Sequence, residues 1–174
     1  MNRQTRTSLR RYPQGSHRAW PRGFTLMELL ATIAVLVIVT TIALPSFRAA
    51  IQNNRLTSQA NELVASFQFA RSEALKRGVP VFVCGSNDEA TCSGAWSQGW
   101  VAVVTNTNEV LRVWPAAADF QFTAAANAVG YQPNGFAVTA FTLDVELPDC
   151  TGNNVRRITV QNTGRVASER VACP

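Results

Sequence analysis

The stretch Arg22-Gly23-Phe24-Thr25-Leu26-Met27-Glu28-Leu29-Leu30 opens an apolar run that extends to Leu44. Between Phe24 and Leu44 the only charged residue is Glu28. A helix of this length, rising about 1.5 Å per residue, crosses the hydrocarbon core of a bilayer, which is about 30 Å thick. A lone carboxylate in the hydrocarbon core costs about 2.5 kcal/mol or more, so we expect Glu28 to have a partner of opposite charge. The run follows a basic leader that has no acidic residue and contains Arg3, Arg6, Arg10, Arg11, Arg18 and Arg22.

The motif Gly-Phe-Thr-Leu-x-Glu at residues 23–28 resembles the prepilin signal of type IV pilins and type II secretion pseudopilins. The resemblance implies that a prepilin peptidase cuts after Gly23 and that the new N-terminal residue, Phe24, is N-methylated. It also implies that Glu28 serves assembly, by meeting the charged amine of Phe24 on a neighbouring subunit. An ordinary secretory signal would be cut after the apolar region, where Pro45-Ser46-Phe47-Arg48 fits poorly. A simple N-terminal membrane anchor is the alternative.

The resemblance predicts three segments: a leader at 1–23 that is removed, a transmembrane helix and hinge at 24–52, and a periplasmic globular domain at 53–174. The chain would cross the inner membrane once, in contact with its lipid, and the domain could reach a pilus tip at the cell surface. The expected fold is α+β, the type IV pilin lollipop. In it, a long N-terminal helix, first transmembrane and then amphipathic, packs on an antiparallel β domain.

The formal charge of +5 suggests nucleic acid as a partner, but the leader carries the excess. Removal of its six arginines leaves ten basic residues against eleven acidic ones. Any nucleic-acid site must therefore be a local patch. The leader charge instead favours retention of residues 1–23 in the cytoplasm.

The four cysteines are Cys84, Cys92, Cys150 and Cys173, and they allow three pairings. In the periplasm disulfides persist. We favour Cys84–Cys92, which closes a polar loop, and Cys150–Cys173, which ties down the C-terminus. A zinc site is the weaker alternative, because the spacings do not fit and the only histidine, His17, is in the leader.

Residues 24–77 are predicted to form one helix that continues past Pro45. Glu73 and Arg77 are spaced four apart, as in a helical ion pair, and Gly78 followed by Pro80 predicts the stop. One apolar stripe recurs at steps of three and four: Leu56, Ala60, Leu63, Phe67, Ala70 and Ala74. The segment Arg71-Ser72-Glu73-Ala74 also resembles the GspH/FimT branch of the pilin family.

Short runs rich in β-branched and aromatic residues predict strands after Gly78. They lie at 79–84, 100–105, 110–114, 120–123, 136–147 (one long strand or two) and 155–161, and residues 162–164 predict a turn into Arg165-Val166. The segment 116–134 is rich in alanine and carries few strong signals, and 120–123 is the only strand predicted within it.

The motif Trp96-Ser97-Gln98-Gly99-Trp100 again resembles the GspH/FimT branch. Gly99 would let the backbone turn tightly between two bulky rings, and Trp100 would begin a core strand. Core packing is favoured over an aromatic binding platform.

No enzymatic constellation is present in the sequence. Residues 24–174 contain no histidine, and the chain has no Gly-x-Ser-x-Gly elbow, phosphate loop or dinucleotide fingerprint. We therefore predict neither an enzyme nor a cofactor nor a metal site, and assign the chain an assembly role.

Residues 155–174 carry four arginines against Glu169. In FimT proteins linked to natural transformation, a C-terminal Gly-Arg-x-Arg element on a turn is implicated in binding DNA. Gly164-Arg165 matches it, but Ala167 replaces the second arginine and Arg170 comes three residues later. Arg157, Gly164, Arg165 and Arg170 are the candidate DNA-binding residues, since arginines supply most non-specific affinity for phosphates. Arg156 and Arg157, adjacent on a strand, would point to opposite faces, so the four arginines cannot share one surface.

The sequence thus predicts a minor type IV pilin, a structural subunit that helps to start assembly together with other major and minor pilins. A type II secretion pseudopilin is the alternative, and a DNA-binding minor pilin for natural transformation is the second alternative.

Overall fold

A computed structural model describes residues 23–174 of the chain. Most of the predicted leader therefore lies outside the described residues. The chain divides into two compact units, Met1–Ala43 and Leu44–Pro174. Both this division and the boundary predicted between residues 52 and 53 fall within the long helix.

One helix, α1 (Leu26–Arg77), continues through Pro45 as expected. All six residues of the predicted apolar stripe, from Leu56 to Ala74, are buried. The helix ends at Gly78, whose φ of 66° is in the left-handed region that glycine adopts at low cost. The predicted pair is also present, with Arg77 Nε 2.6 Å from Glu73 Oε2. The prediction of a single helix with one buried stripe is confirmed.

The remaining chain forms two antiparallel four-stranded sheets. The first has the order β3-β2-β1-β5 and the second β4-β6-β7-β8. The strands are β1 (Val81–Gly85), β2 (Trp100–Val104), β3 (Glu109–Trp114), β4 (Gln121–Ala124), β5 (Ala128–Tyr131), β6 (Phe141–Glu146), β7 (Val155–Val160) and β8 (Val166–Val171). The predicted α+β class, a long helix packed on antiparallel strands, is confirmed.

The core lies where the second half of α1 meets both sheets. Phe67 of the helix contacts Trp96 and Phe141 edge to face, with ring centroids 6.0 and 5.8 Å apart. Trp96 begins a short 3-10 helix (Trp96–Gln98), and both tryptophans of the Trp-x-x-Gly-Trp motif are buried. Core packing of this motif is therefore confirmed.

Gly99, between the two tryptophans, adopts a φ of 114°. A Cβ at this position would lie 2.8 Å from the carbonyl oxygen of Trp114. Both the backbone conformation and the close approach of β3 require glycine here.

Two segments differ from the sequence expectation. The run 136–147 was expected to hold one long strand or two, but it contains one strand, β6 (Phe141–Glu146), preceded by a single bridge of Ala137 to Tyr131. Phe136 and Val138 are half exposed. The segment 116–134, in which the sequence predicted only the strand 120–123, contains all of β4 and all of β5. β5 pairs with β1, with Val129 opposite Val83, so its partner rather than its composition defines it as a strand.

The β7–β8 hairpin lies along α1. At one end, Arg156 donates hydrogen bonds to Asn53 and Thr57 of the helix. At the turn, Arg71 donates from Nε to the carbonyl of Gly135 (2.9 Å) and from Nη2 to that of Thr163 (3.1 Å). The hairpin is thus attached to the helix at both of its ends.

We predict that Leu63→Ala lowers the free energy of unfolding by about 2–5 kcal/mol, because Leu63 is fully buried between helix and sheets. Leu75→Ala, the same change on the same helix at a residue that is 52% exposed, should cost less than about 1 kcal/mol. Urea unfolding of the detergent-solubilised chain, followed by tryptophan fluorescence, compares them. Equal losses would contradict the assignment of the buried stripe.

Candidate functional site

The N-terminal end of α1 presents Glu28 in the first helical turn. The backbone N–H of Glu28 donates to Thr25 Oγ1 (3.2 Å), and that of Leu29 donates to the carbonyl of Thr25 (3.1 Å). Thr25 therefore caps the helix. The side chain of Glu28 therefore lies near the positive end of the helix dipole.

Gly23 lies just before this turn and is exposed. A Cβ built on it would meet no atom within 4 Å. Packing within the described residues therefore gives no reason for glycine at position 23.

The first half of α1 exposes an unusually apolar surface. Its most apolar window has a mean hydropathy of 2.4, and none of that window is buried, so by length and composition the helix qualifies as a membrane span. The exposed large apolar side chains of this half are Phe24, Leu26, Met27, Leu29, Leu30, Ile33, Val35, Leu36, Val37, Ile38, Val39, Ile42, Leu44, Phe47 and Ile51. Soluble monomers rarely expose apolar patches of this extent, which instead mark membrane or protein contacts.

The structure contains the disulfides Cys84–Cys92 and Cys150–Cys173, the two pairings that the sequence favoured. The first closes a loop organised by the carboxylate of Asp88. This carboxylate accepts hydrogen bonds from the backbone N–H groups of Ala90 (3.0 Å) and Thr91 (2.8 Å) and from the hydroxyls of Thr91 (2.6 Å) and Ser86 (2.9 Å). These bonds, with those from Thr91 the largest cause, hold the pKa of Asp88 far below its ordinary value.

The C-terminal arginines are divided between surfaces, as the adjacent positions of Arg156 and Arg157 in β7 predict. Arg157 forms a two-point contact with Asp144, its cross-strand partner, at 2.8 and 2.7 Å. This contact raises the pKa of Arg157. Arg156 instead turns towards α1 and is buried.

The candidate DNA-binding residues are therefore not gathered on one surface. Arg170 donates to Asn53 of α1 (2.7 Å), Arg157 contacts Asp144, and Gly164 is buried beneath the side chain of Arg71. Arg165 is exposed on the turn after β7. DNA binding stays a prediction from the sequence.

Sequence reasoning missed the polar residues of α1 that hold the C-terminal hairpin. Asn53 and Thr57, one turn apart, accept from Arg156, which lies 103 and 99 positions later in the chain. The only local signal in the sequence was that Asn53 and Thr57 are polar and spaced four apart beside the apolar stripe. This spacing does not indicate which residue they bind.

Comparison with known proteins identifies the family. The family described as Type II transport protein GspH matches residues 59–164, more than half of the chain. The chain belongs to the GspH family. The prokaryotic N-terminal methylation motif also matches, over residues 21–44. No curated protein matches the chain by sequence.

Two solved structures resemble this GspH-family chain. The type IV minor pilin FimU of Pseudomonas aeruginosa PAO1 is 22% identical, with a TM-score of 0.56 over 67% of this chain and 89% of FimU. The minor pseudopilin EpsH from the Type 2 Secretion System of Vibrio cholerae is 15% identical, with a TM-score of 0.48 over 66% of this chain and 96% of EpsH. The likeness to FimU shows the pilin fold. GspH-family proteins are structural pilins and pseudopilins, and this chain is not an enzyme.

For the loop of this GspH-family chain we predict a pH-dependent contribution from Asp88. Its pKa is lowered in the folded state from an ordinary 3.8, so its ionised form stabilises the fold above pH 3.8, and this stabilisation is lost as the pH falls from there towards the folded pKa. The difference in unfolding free energy between wild type and Asp88→Asn should therefore be constant from pH 5 to 7 and shrink below about pH 4. Urea titrations of the oxidised chain measure it. A constant difference down to pH 2 would contradict the hydrogen-bonded loop.

Proposed function

We propose that this chain is a minor pilin of a type IV pilus, processed after Gly23, N-methylated at Phe24 and anchored in the inner membrane by the first half of α1. The observation that carries the proposal is the methylation motif at residues 21–44, which coincides with a fully exposed apolar helix ahead of a GspH-family domain. The motif implies processing by a prepilin peptidase, and the family implies other pilins as partners. The choice of a pilus follows FimU, which is a type IV minor pilin.

The exposed first half of α1 supports a role that has two environments. A continuous apolar surface from Phe24 to Ile51 is compatible with lipid before assembly and with the helices of other subunits afterwards. Transfer from one environment to the other keeps the apolar side chains out of water. The globular unit, with its own core, is then carried into the filament without refolding.

Glu28 supplies the specificity of the transfer. Its side chain lies among exposed apolar residues, where a charge without a partner is costly. The amine of Phe24 on a neighbouring subunit would neutralise it, and the strength of such a pair in a low dielectric fixes one register of docking. The position of Gly23 supports processing, since nothing in the described residues requires glycine there except recognition by a peptidase.

The alternative role is that of a type II secretion pseudopilin, to which the description of the family points. Both roles use the same anchor, the same carboxylate and the same fold. They differ in the machine that receives the subunit.

A clean deletion strain tests the choice, scored in parallel for surface pili, secreted enzymes and DNA uptake. The pilus role predicts loss of pili with normal secretion, restored by the intact gene. Normal pili with failed secretion would identify a pseudopilin. Near-normal pili with lost DNA uptake would instead support DNA binding by the arginines of the C-terminal segment.

We further predict that Glu28→Ala leaves membrane insertion and leader removal intact but strongly reduces incorporation into filaments, because the docking charge is gone. Glu62→Ala, the same change later in α1, is the matched control and should incorporate normally. Quantitative immunoblots of sheared filaments and of membranes measure both. Normal incorporation of Glu28→Ala would refute this role.

A further inference from the structure

Two guanidinium groups of the globular unit converge on one amide oxygen. Nη2 of Arg156 and Nη2 of Arg170 lie 2.6 and 2.7 Å from Oδ1 of Asn53. Arg156 also donates to Oγ1 of Thr57 (3.0 Å). The two arginines are directly opposite each other in the β7–β8 ladder, so the register of the hairpin places like charges side by side.

This cluster lacks an anion. Within residues 23–174, neither Arg156 nor Arg170 has a carboxylate within ion-pair distance, whereas Arg157 is paired with Asp144. Arg156 is only 7% exposed, and buried charges in proteins are normally paired. Burial, and secondarily the charge of Arg170, lowers the pKa of Arg156. An anion from outside the chain would give Arg156 a counter-charge and would offset the repulsion between Arg156 and Arg170.

The cluster lies at the level of α1 where the exposed apolar surface ends. Asn53 follows Ile51, the last of the exposed large apolar residues of this half, by two positions, an axial rise of about 3 Å. The β7–β8 hairpin presents the start of β7 and the end of β8 at this level, since Val155 pairs with Val171 there. From Phe24 to Asn53 the helix rises about 44 Å, and a bilayer with both headgroup layers is about 40–45 Å thick. If the apolar surface spans the whole bilayer, the guanidinium groups lie at the outer headgroup layer.

We propose that Arg156 and Arg170, positioned by Asn53, bind the phosphate of an anionic phospholipid headgroup while the subunit is in the membrane. The planar, forked donors of arginine match the oxygens of a phosphate group, and the long side chains reach from protein to interface. This inference rests on the membrane anchoring in the proposed function. It adds a defined lipid site on the globular unit.

Arg48 favours lipid over a carboxylate of a neighbouring subunit. It is exposed and lies five residues before Asn53, about 140° away around the helix. One carboxylate of a neighbouring subunit cannot contact both Arg48 and the arginine pair on different sides of the helix. A ring of headgroups surrounds the helix and offers phosphates to Arg48 and to the arginine pair at once.

The test measures lipid selectivity of the full-length chain in phosphatidylcholine vesicles. Electron paramagnetic resonance of spin-labelled phosphatidylglycerol and phosphatidylcholine gives the ratio of their association constants with the protein. Arg170→Gln should lower the preference for phosphatidylglycerol about fivefold, the equivalent of about 1 kcal/mol per basic residue at a membrane surface. Arg170→Lys should lower it less. Lys76→Gln, the same charge loss at the far end of α1, should leave it unchanged.

The outcomes separate this inference from the proposed function. Wild-type chain released from vesicles by a carbonate wash would refute membrane anchoring itself. Retained chain with an unchanged preference in Arg170→Gln, or an equal fall in Lys76→Gln, would overturn only the lipid site. Loss of the preference in millimolar inorganic phosphate or in short duplex DNA would identify those phosphates as the ligand. If Arg170→Gln kept the lipid preference but lost incorporation into filaments, the ligand of the arginine pair would be a carboxylate of a neighbouring subunit instead.

Discussion

The globular unit depends on one interface, the burial of the apolar stripe of α1 against two sheets that share no strand. Residues of the helix and of both sheets belong to a single buried cluster. Phe67 shows the arrangement, because its ring contacts Trp96, next to β2, and Phe141 in β6. Among residues 23–174 no strand of one sheet pairs with a strand of the other, so side-chain packing on the helix is the main contact that the two sheets share.

The same interface sets where the C-terminal hairpin lies. The helix contacts the hairpin at both ends, through Thr57 with Arg156 and through Arg71 with Thr163. Arg156 and Arg170 consequently lie beside the helix at residue 53, close to the end of its exposed apolar surface.

Sequence alone predicted what local periodicity and turn chemistry encode. The stripe from Leu56 to Ala74, the stop at Gly78 and the burial of the two motif tryptophans all follow from spacing or from a resemblance. The strand β5 did not, because its alanine-rich segment becomes a strand only by pairing with β1. Phe136 and Val138 misled in the opposite direction, since apolar composition extended the predicted strand region to a segment where only Ala137 is buried and bridged, to Tyr131. The contact of Arg156 with Asn53 was beyond reach, because no local pattern connects residues 103 positions apart.

The two halves of α1 place different demands on the sequence, because the stripe of the second half is buried by the chain itself and the first half is exposed. In the second half each large apolar side chain of the stripe has a partner in the same chain, so substitutions there act on folding. In the first half the large apolar side chains are exposed, so substitutions there act on whatever surrounds the helix. Glu28 lies in the first turn of the helix, where its backbone N–H donates to Thr25 Oγ1, and it is the only charged residue from Phe24 to Leu44. It is therefore the one position in that stretch at which a surrounding group of opposite charge would be distinguished from an apolar one.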